Sequence, residues 1–169
     1  MKILLTAETI QQRVDALARQ IKADYGDQPV TIVGVLTGCL MFLADLVRRL
    51  DLPLRIALIQ ASSYRGTATA PGQLHVQSEL IPELRGRHVL LLDDILDTGR
   101  TLQHLVEYLK GLEPASLRTT VLLRKQGRQE VAIEPDYCGF DIPDAFVVGY
   151  GLDYNDEHRH LPHLAVVET

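Results

Sequence analysis

Residues Val89 to Leu102, VLLLDDILDTGRTL, constrain the fold more than any other stretch of the chain. Four apolar residues, Val89 to Leu92, run straight into two adjacent carboxylates, Asp93 and Asp94. Asp97 follows, and Thr98-Gly99-Arg100-Thr101 then opens an apolar-periodic stretch. An uninterrupted apolar run reads as a strand covered on both faces, as parallel strands are. Ligands of open α/β sheets bind just beyond the carboxyl ends of such strands, where Asp93 and Asp94 are expected. The next helix should start near Thr98 to Thr101, where free backbone N–H groups and the helix dipole favour a phosphate. One strand–turn–helix thus offers acids for a metal or polyol beside a cradle for an anion. The bland alternative is a solvated acidic loop followed by a helix N-cap.

The rest of the pattern agrees with an α/β chain. Ile10, Val14, Leu17, Ala18, Ile21 and Tyr25 share one helical face, with Thr6 as its N-cap. Pro29 to Leu36 and Leu54 to Gln60 read as strands, and Leu40, Phe42, Leu43, Leu46, Val47 and Leu50 as the helix between them. Ala61 to Gly72 is small, polar and interrupted by Gly and Pro, so it reads as a long loop before a short strand over Leu74 to Leu80. Leu102, Leu105, Val106 and Leu109 face one way, Leu117 to Leu123 is another strand, and the remainder from Val131 consists of short strands and turns. Strands alternating with helices predict a parallel, doubly wound sheet. At 169 residues this is one domain, 1–169, with a small hood drawn mainly from 131–169.

Charge narrows the partners. Lys plus Arg is 17 against 22 for Asp plus Glu, a net charge of −5, which disfavours nonspecific nucleic-acid binding. An anionic substrate must then be drawn in by local cations, helix N-termini or a divalent ion. Cys39 and Cys138 show no framework spacing, and Met1 to Thr6 is too short an apolar run for a leader. Both features point to free thiols in a reducing cytoplasm. No stretch approaches the ~20 apolar residues that span a bilayer.

The Val89–Leu102 segment resembles the phosphoribosyl-pyrophosphate (PRPP) signature of the type I phosphoribosyltransferases: a hydrophobic strand, two acids, two residues, then Asp-Thr-Gly-x-Thr. The Asp-Asp-x-x-Asp of isoprenoid synthases is a rival pattern. It lies on a long helix, whereas this one follows a strand and contains Gly99. A second stretch, Ile142 to Asn155 (IPDAFVVGYGLDYN) followed by Arg159, resembles the base-binding hood of the hypoxanthine–guanine branch. Together the two resemblances run from about Val33 to Val167. They imply the type I phosphoribosyltransferase fold, a parallel sheet flanked by helices with a small C-terminal/N-terminal hood. They also imply transfer of 5-phosphoribosyl from PRPP to N9 of a 6-oxopurine, giving IMP or GMP and pyrophosphate in purine salvage. Mg2+ is the implied cofactor, and a homodimer or homotetramer the implied assembly.

Residue by residue, the resemblance implies that Asp93 and Asp94 hold the ribose hydroxyls and magnesium and that Asp97 accepts the purine proton. Asp97, Thr98, Gly99, Arg100 and Thr101 would bind the 5′-phosphate. Lys125 would donate to the 6-oxo group, Phe146 would stack on the base, and Val147 would meet its edge. Asp153 would lie near position 2 and a second magnesium, and Arg159 would bind pyrophosphate. Thr37 and Gly38 would form the pyrophosphate loop, where relatives often carry a cis non-proline peptide, and Ser63 and Tyr64 a closing lid. Relatives often have Lys or Arg at the position of Thr37 and Glu at that of Asp93; here a charge is lost and an acid shortened.

Several of these residues also have plain readings: Phe146 as a core aromatic, Lys125 as a surface lysine, Asp153 as a turn cap, Leu36-Thr37-Gly38 as a strand-to-helix turn. His158, His160 and His163 have no accompanying cysteine and read as solvated side chains flanking Arg159. Two other functions remain open: a regulator that binds PRPP, which would call for a basic face or an added domain, and an enzyme of the same superfamily acting on xanthine, adenine or uracil. The Phe-Val-Val-Gly-Tyr hood disfavours the last two bases.

Overall fold

The computed structural model of the chain describes residues 1–63 and 74–168. Along these residues run β1 (Lys2–Leu5), α1 (Ala7–Tyr25), β2 (Val30–Leu36), α2 (Leu40–Val47), β3 (Leu54–Ser63) and β4 (Leu74–Gln77). They are followed by β5 (His88–Leu96), α3 (Arg100–Lys110), β6 (Ser116–Lys125), β7 (Tyr137–Ile142), β8 (Val147–Val148) and β9 (Leu164–Val166). Tyr64 of the expected lid lies outside the described residues.

Six strands form the main sheet in the order β4-β3-β2-β5-β6-β7. The pairs β3–β2, β2–β5, β5–β6 and β6–β7 are parallel, and only the edge strand β4 is antiparallel. Side chains alternate across a strand, so β5 feeds two cores. Leu90 and Leu92 pack with α1 and α2, while Val89 and Leu91 pack with Leu102, Leu105 and Leu109 of α3. All six residues expected on the inner face of α1 are buried, and the Thr6 side chain caps that helix by accepting from the Thr9 N–H at 3.2 Å. Such a cap is worth about 1 kcal/mol.

From β2 the chain moves outward to β3, and from β5 it moves the other way to β6. The reversal of direction falls between β2 and β5. Their ladder ends at Gly34 and Leu92, after which β2 pairs only with β3 and β5 only with β6. A crevice therefore opens at the residues that carry Asp93, Asp94 and Thr37.

Three boundaries differ from the sequence reading. Strand β5 does not stop at the acids but continues through them to Leu96, because its backbone pairing with β6 is indifferent to side-chain polarity. Strand β4 ends at Gln77 rather than Leu80. The hood does not begin near residue 131, since β7 is an edge strand of the main sheet. It is a separate antiparallel sheet, β1-β9-β8, in which Lys2 pairs with Val166 and Val147 also pairs with Val166. The short N-terminal run is thus a structural strand.

Candidate active site

The acid pair stands on the last turn of pleat of the central strand. Asp93 is buried, 8% exposed, and its Oδ1 accepts the Asp94 N–H at 2.8 Å. Burial, with the adjacent Asp94 charge adding to it, pushes the Asp93 carboxyl well above the usual carboxylate range. Asp94 points to the opposite face, where the loop after β2 approaches it. A β-carbon on Gly38 would lie 1.9 Å from Asp94 Oδ2, so any larger residue there would have to displace the Asp94 carboxylate. The peptide between Leu36 and Thr37 in the same loop is cis. Cys39, the next residue, is fully buried, and burial reinforced by Asp93 and Asp94 pushes its thiol up to about 12.

The anion cradle forms at α3. Gly99 is its N-cap with φ +88°, a left-handed conformation, and no side chain caps the helix. A β-carbon there would also stand 2.9 Å from the methyls of Val131 and Ile133. The first turn carries no acidic residue to compete for the helix N–H groups. Thr98 Oγ1 meets the Arg100 N–H at 3.4 Å, and the Arg100 side chain turns away to pair with Glu130. Acids and cradle face one cleft of about 260 Å³ that includes Asp93, Asp94, Asp97, Gly99 and Thr101.

A second cleft of about 260 Å³ opens beside it, between the end of β6 and the hood. Lys125, Phe146, Val147, Leu152 and Asp153 line it, and it shares Asp94, Ile95 and Asp97 with the first. Val147 and Leu152 are buried walls, whereas Phe146 is 47% exposed, so it is not a core aromatic. The Tyr154 ring meets it edge-on, with centroids 5.5 Å apart and planes at 88°. Lys125 is the last residue of β6 and largely covered; its Nζ lies 3.8 Å from Asp97 Oδ2. Asp97 therefore belongs to both clefts.

The hood residues are held by short-range pairing. Asp153 Oδ2 caps a turn through the Asp156 N–H at 2.8 Å, and its Oδ1 lies 3.4 Å from Arg159. Arg159 Nη1 donates to the Gly151 carbonyl at 2.7 Å. Asp93, Asp94 and Asp153 do not form one cluster: among the described residues no three His, Cys, Asp or Glu side chains gather around a possible ion.

Arg128 was not singled out by sequence reasoning. Its Nε pairs with Asp97 Oδ1 at 2.9 Å and lies 3.8 Å from Asp144. The sole local signal is a basic residue placed just beyond the Gly127 turn, itself at φ +77°.

Among the described residues, no helix is long and apolar enough to cross a membrane. The phosphoribosyl transferase domain family matches residues 1–155. A hypoxanthine-guanine phosphoribosyltransferase of Aquifex aeolicus (strain VF5) is 41% identical over 99% of this chain and 95% of its own length. A crystal structure of a hypoxanthine-guanine phosphoribosyltransferase (hpt-2) from Bacillus anthracis superposes with a TM-score of 0.93 at 34% identity, covering 99% of each chain. A mutant hypoxanthine phosphoribosyltransferase from Trypanosoma cruzi complexed with the product IMP gives 0.91 at 38% identity, covering 99% of this chain and 91% of that one.

Proposed function

Because this chain belongs to the phosphoribosyl transferase domain family, in its hypoxanthine-guanine branch, we propose that its two joined clefts transfer 5-phosphoribosyl from PRPP to N9 of hypoxanthine or guanine in purine salvage. The observation that carries this reading is Asp97, shared between the anion cleft and the base cleft.

In the reaction the bond from ribosyl C1 to a pyrophosphate oxygen breaks, N9 of the purine bonds to C1, and the purine loses a proton. Positive charge develops on the ribosyl ring as pyrophosphate departs, and the acids Asp93 and Asp94 beneath it offset that charge. The uncapped N-terminus of α3, with the hydroxyls of Thr98 and Thr101, suits the 5′-phosphate. Phe146 offers a ring face to the base, the Val147 backbone an edge contact, and Lys125 a donor to the 6-oxo group. Asp97 Oδ1 is engaged by Arg128, which leaves Oδ2 to take the purine proton. Asp153 would accept from the exocyclic 2-amine when the base is guanine. Arg159, with the backbone amides of Thr37 and Gly38, receives the pyrophosphate.

The acid pair fits a hard divalent ion. Asp93 is pushed up by burial and by a neighbouring carboxylate, a conflict that a cation relieves, and Mg2+ is commonly held by one or two carboxylates plus substrate phosphates. Asp93 and Asp94 would hold it, with Asp153 near a second, and when bound it neutralises charge on the leaving pyrophosphate. The unpaired thiols Cys39 and Cys138 support a cytoplasmic setting, and the homodimer or homotetramer that the family resemblance implies is kept as part of the proposal.

The test is turnover of PRPP and Mg2+ with hypoxanthine, guanine, xanthine and adenine in turn. Turnover with hypoxanthine or guanine is expected; no turnover on any base would favour a PRPP-binding regulator instead.

A further inference from the structure

Gly149, Tyr150 and Gly151 form the corner of the hood, all three with positive φ, +99°, +47° and +98°. For Tyr150 this is a conformation that costs energy unless its surroundings impose it. The corner lies directly on the loop that follows β2: a β-carbon on Gly151 would stand 2.3 Å from the Gly38 carbonyl oxygen. Gly151 also donates its N–H to the Arg159 carbonyl at 2.9 Å and accepts from Arg159 Nη1 at 2.7 Å. The backbone that leads into Leu152 and Asp153 of the base cleft therefore touches both elements assigned to pyrophosphate.

One side chain fixes this corner from below. Tyr150, 4% exposed, donates its hydroxyl to Asp45 Oδ2 at 2.5 Å, across a sequence separation of 105 residues. Asp45 lies on α2, the helix that begins two residues after Gly38. Two further side chains donate to the carboxylate, Gln11 of α1 to Oδ2 at 3.0 Å and Arg48 to Oδ1 at 2.7 Å, while Arg49 braces the surroundings by donating to the Asp45 backbone carbonyl and to the Gln11 side chain. A partly buried, multiply donated carboxylate of this kind is a fixed anchor rather than a rotor. None of these side chains lines the anion cleft or the base cleft.

We propose that Tyr150 and Asp45 are positioning residues that lock the hood corner to the pyrophosphate loop, so that occupancy of the pyrophosphate subsite is felt by the purine subsite through the Gly38–Gly151 contact. The proposal rests on the functional reading above. It requires a linkage between the two ligands, and linkage is reciprocal. In the wild-type chain, magnesium pyrophosphate should tighten hypoxanthine binding by at least about 5-fold. Tyr150→Phe keeps the ring and removes only the hydroxyl, leaving Asp45 with Gln11 and Arg48; here the factor should fall to about one. Asp45→Asn, which keeps the shape and weakens the acceptor, should lose part of it. Tyr137→Phe is the control: it deletes another tyrosine–aspartate bond, to Asp24 at 2.6 Å, together with the bond its hydroxyl accepts from Arg118 at 3.1 Å, on the β7 side of the fold.

The experiment is calorimetric titration of the full chain with hypoxanthine, with and without saturating magnesium pyrophosphate, alongside Tm for each variant. A factor lost in Tyr150→Phe and kept in Tyr137→Phe, at comparable loss of Tm, supports the lock. A wild-type factor of one, or a Tyr150→Phe factor equal to the wild type, overturns it while leaving the functional reading intact. Failure of the wild-type chain to bind either ligand would overturn that reading and the lock with it. Should Tyr150→Phe not fold, Asp45→Asn carries the same comparison.

Discussion

Gly38 and Asp94 are in such close apposition that a single added carbon on the glycine would sit 1.9 Å from the carboxylate oxygen. The loop after β2 and the acid at the end of β5 are therefore one unit, and neither can be altered without moving the other. Gly38→Ala should displace Asp94, whose carboxylate atoms are the nearest to the added carbon. Turnover should fall by about 100-fold, the scale expected for a misplacement near 1 Å. Steady-state kinetics together with Tm checks this; an alanine variant of unchanged activity would mean that the loop moves freely.

Asp97→Asn removes the carboxylate that is shared by the two clefts. The expected result is a kcat lower by about 10²–10⁴-fold with the KM for PRPP nearly unchanged, as for loss of a general base. Arg128→Ala should cost less, because Lys125 still stands 3.8 Å from Asp97. Equal losses in kcat and PRPP affinity for the asparagine variant would reassign Asp97 to binding.

Phe146→Ala should raise the KM for the purine by about 10-fold, since base–aromatic stacking is worth about 1–3 kcal/mol per base. Because the ring is half exposed, Tm should stay close to that of the parent. Phe146→Leu should fall between the two. A large drop in Tm would show that Phe146 serves the core after all.

Asp45 gives a pH-dependent prediction of defined sign. Burial opposes its charge, but hydrogen bonds from Tyr150, Gln11 and Arg48 outweigh burial and hold its carboxyl below the usual range. A depressed folded-state pKa contributes stability that is present above the unfolded value near 4 and is lost as pH falls through the folded one. Asp45→Asn should therefore lower Tm most at pH 7, and the gap to wild type should close as pH drops below about 4. Thermal melts across that range decide it; a gap that widens on acidification would contradict the assignment.

What could be read from the sequence was what depends on near neighbours. The face of α1 from Ile10 to Tyr25 and the Thr6 cap follow from a 3.6-residue period and one local hydrogen bond, and both are present. The acids, the Gly99 turn and the start of α3 are likewise contiguous in the chain. Missed features depend on distant pairing. Strand β1 exists because Lys2 to Leu5 meets Leu164 to Val166, and no local pattern announces that ladder. The length of β5 was underestimated because polarity changes at Asp93 while the backbone ladder with β6 does not. Arg128 and Asp97 are 31 positions apart, and Tyr150 and Asp45 are 105, so their contacts emerge only when the sheet brings β5, β6, α2 and the hood together.

Cys39 lies beside the acid pair, and its thiol is pushed up to about 12. The thiolate is the species that attacks electrophiles and is oxidised, and at neutral pH almost none of it forms here. Alkylating reagents and peroxides should thus pass over the sulfur nearest the acids, and inactivation by them, where it occurs, must start elsewhere on the molecule.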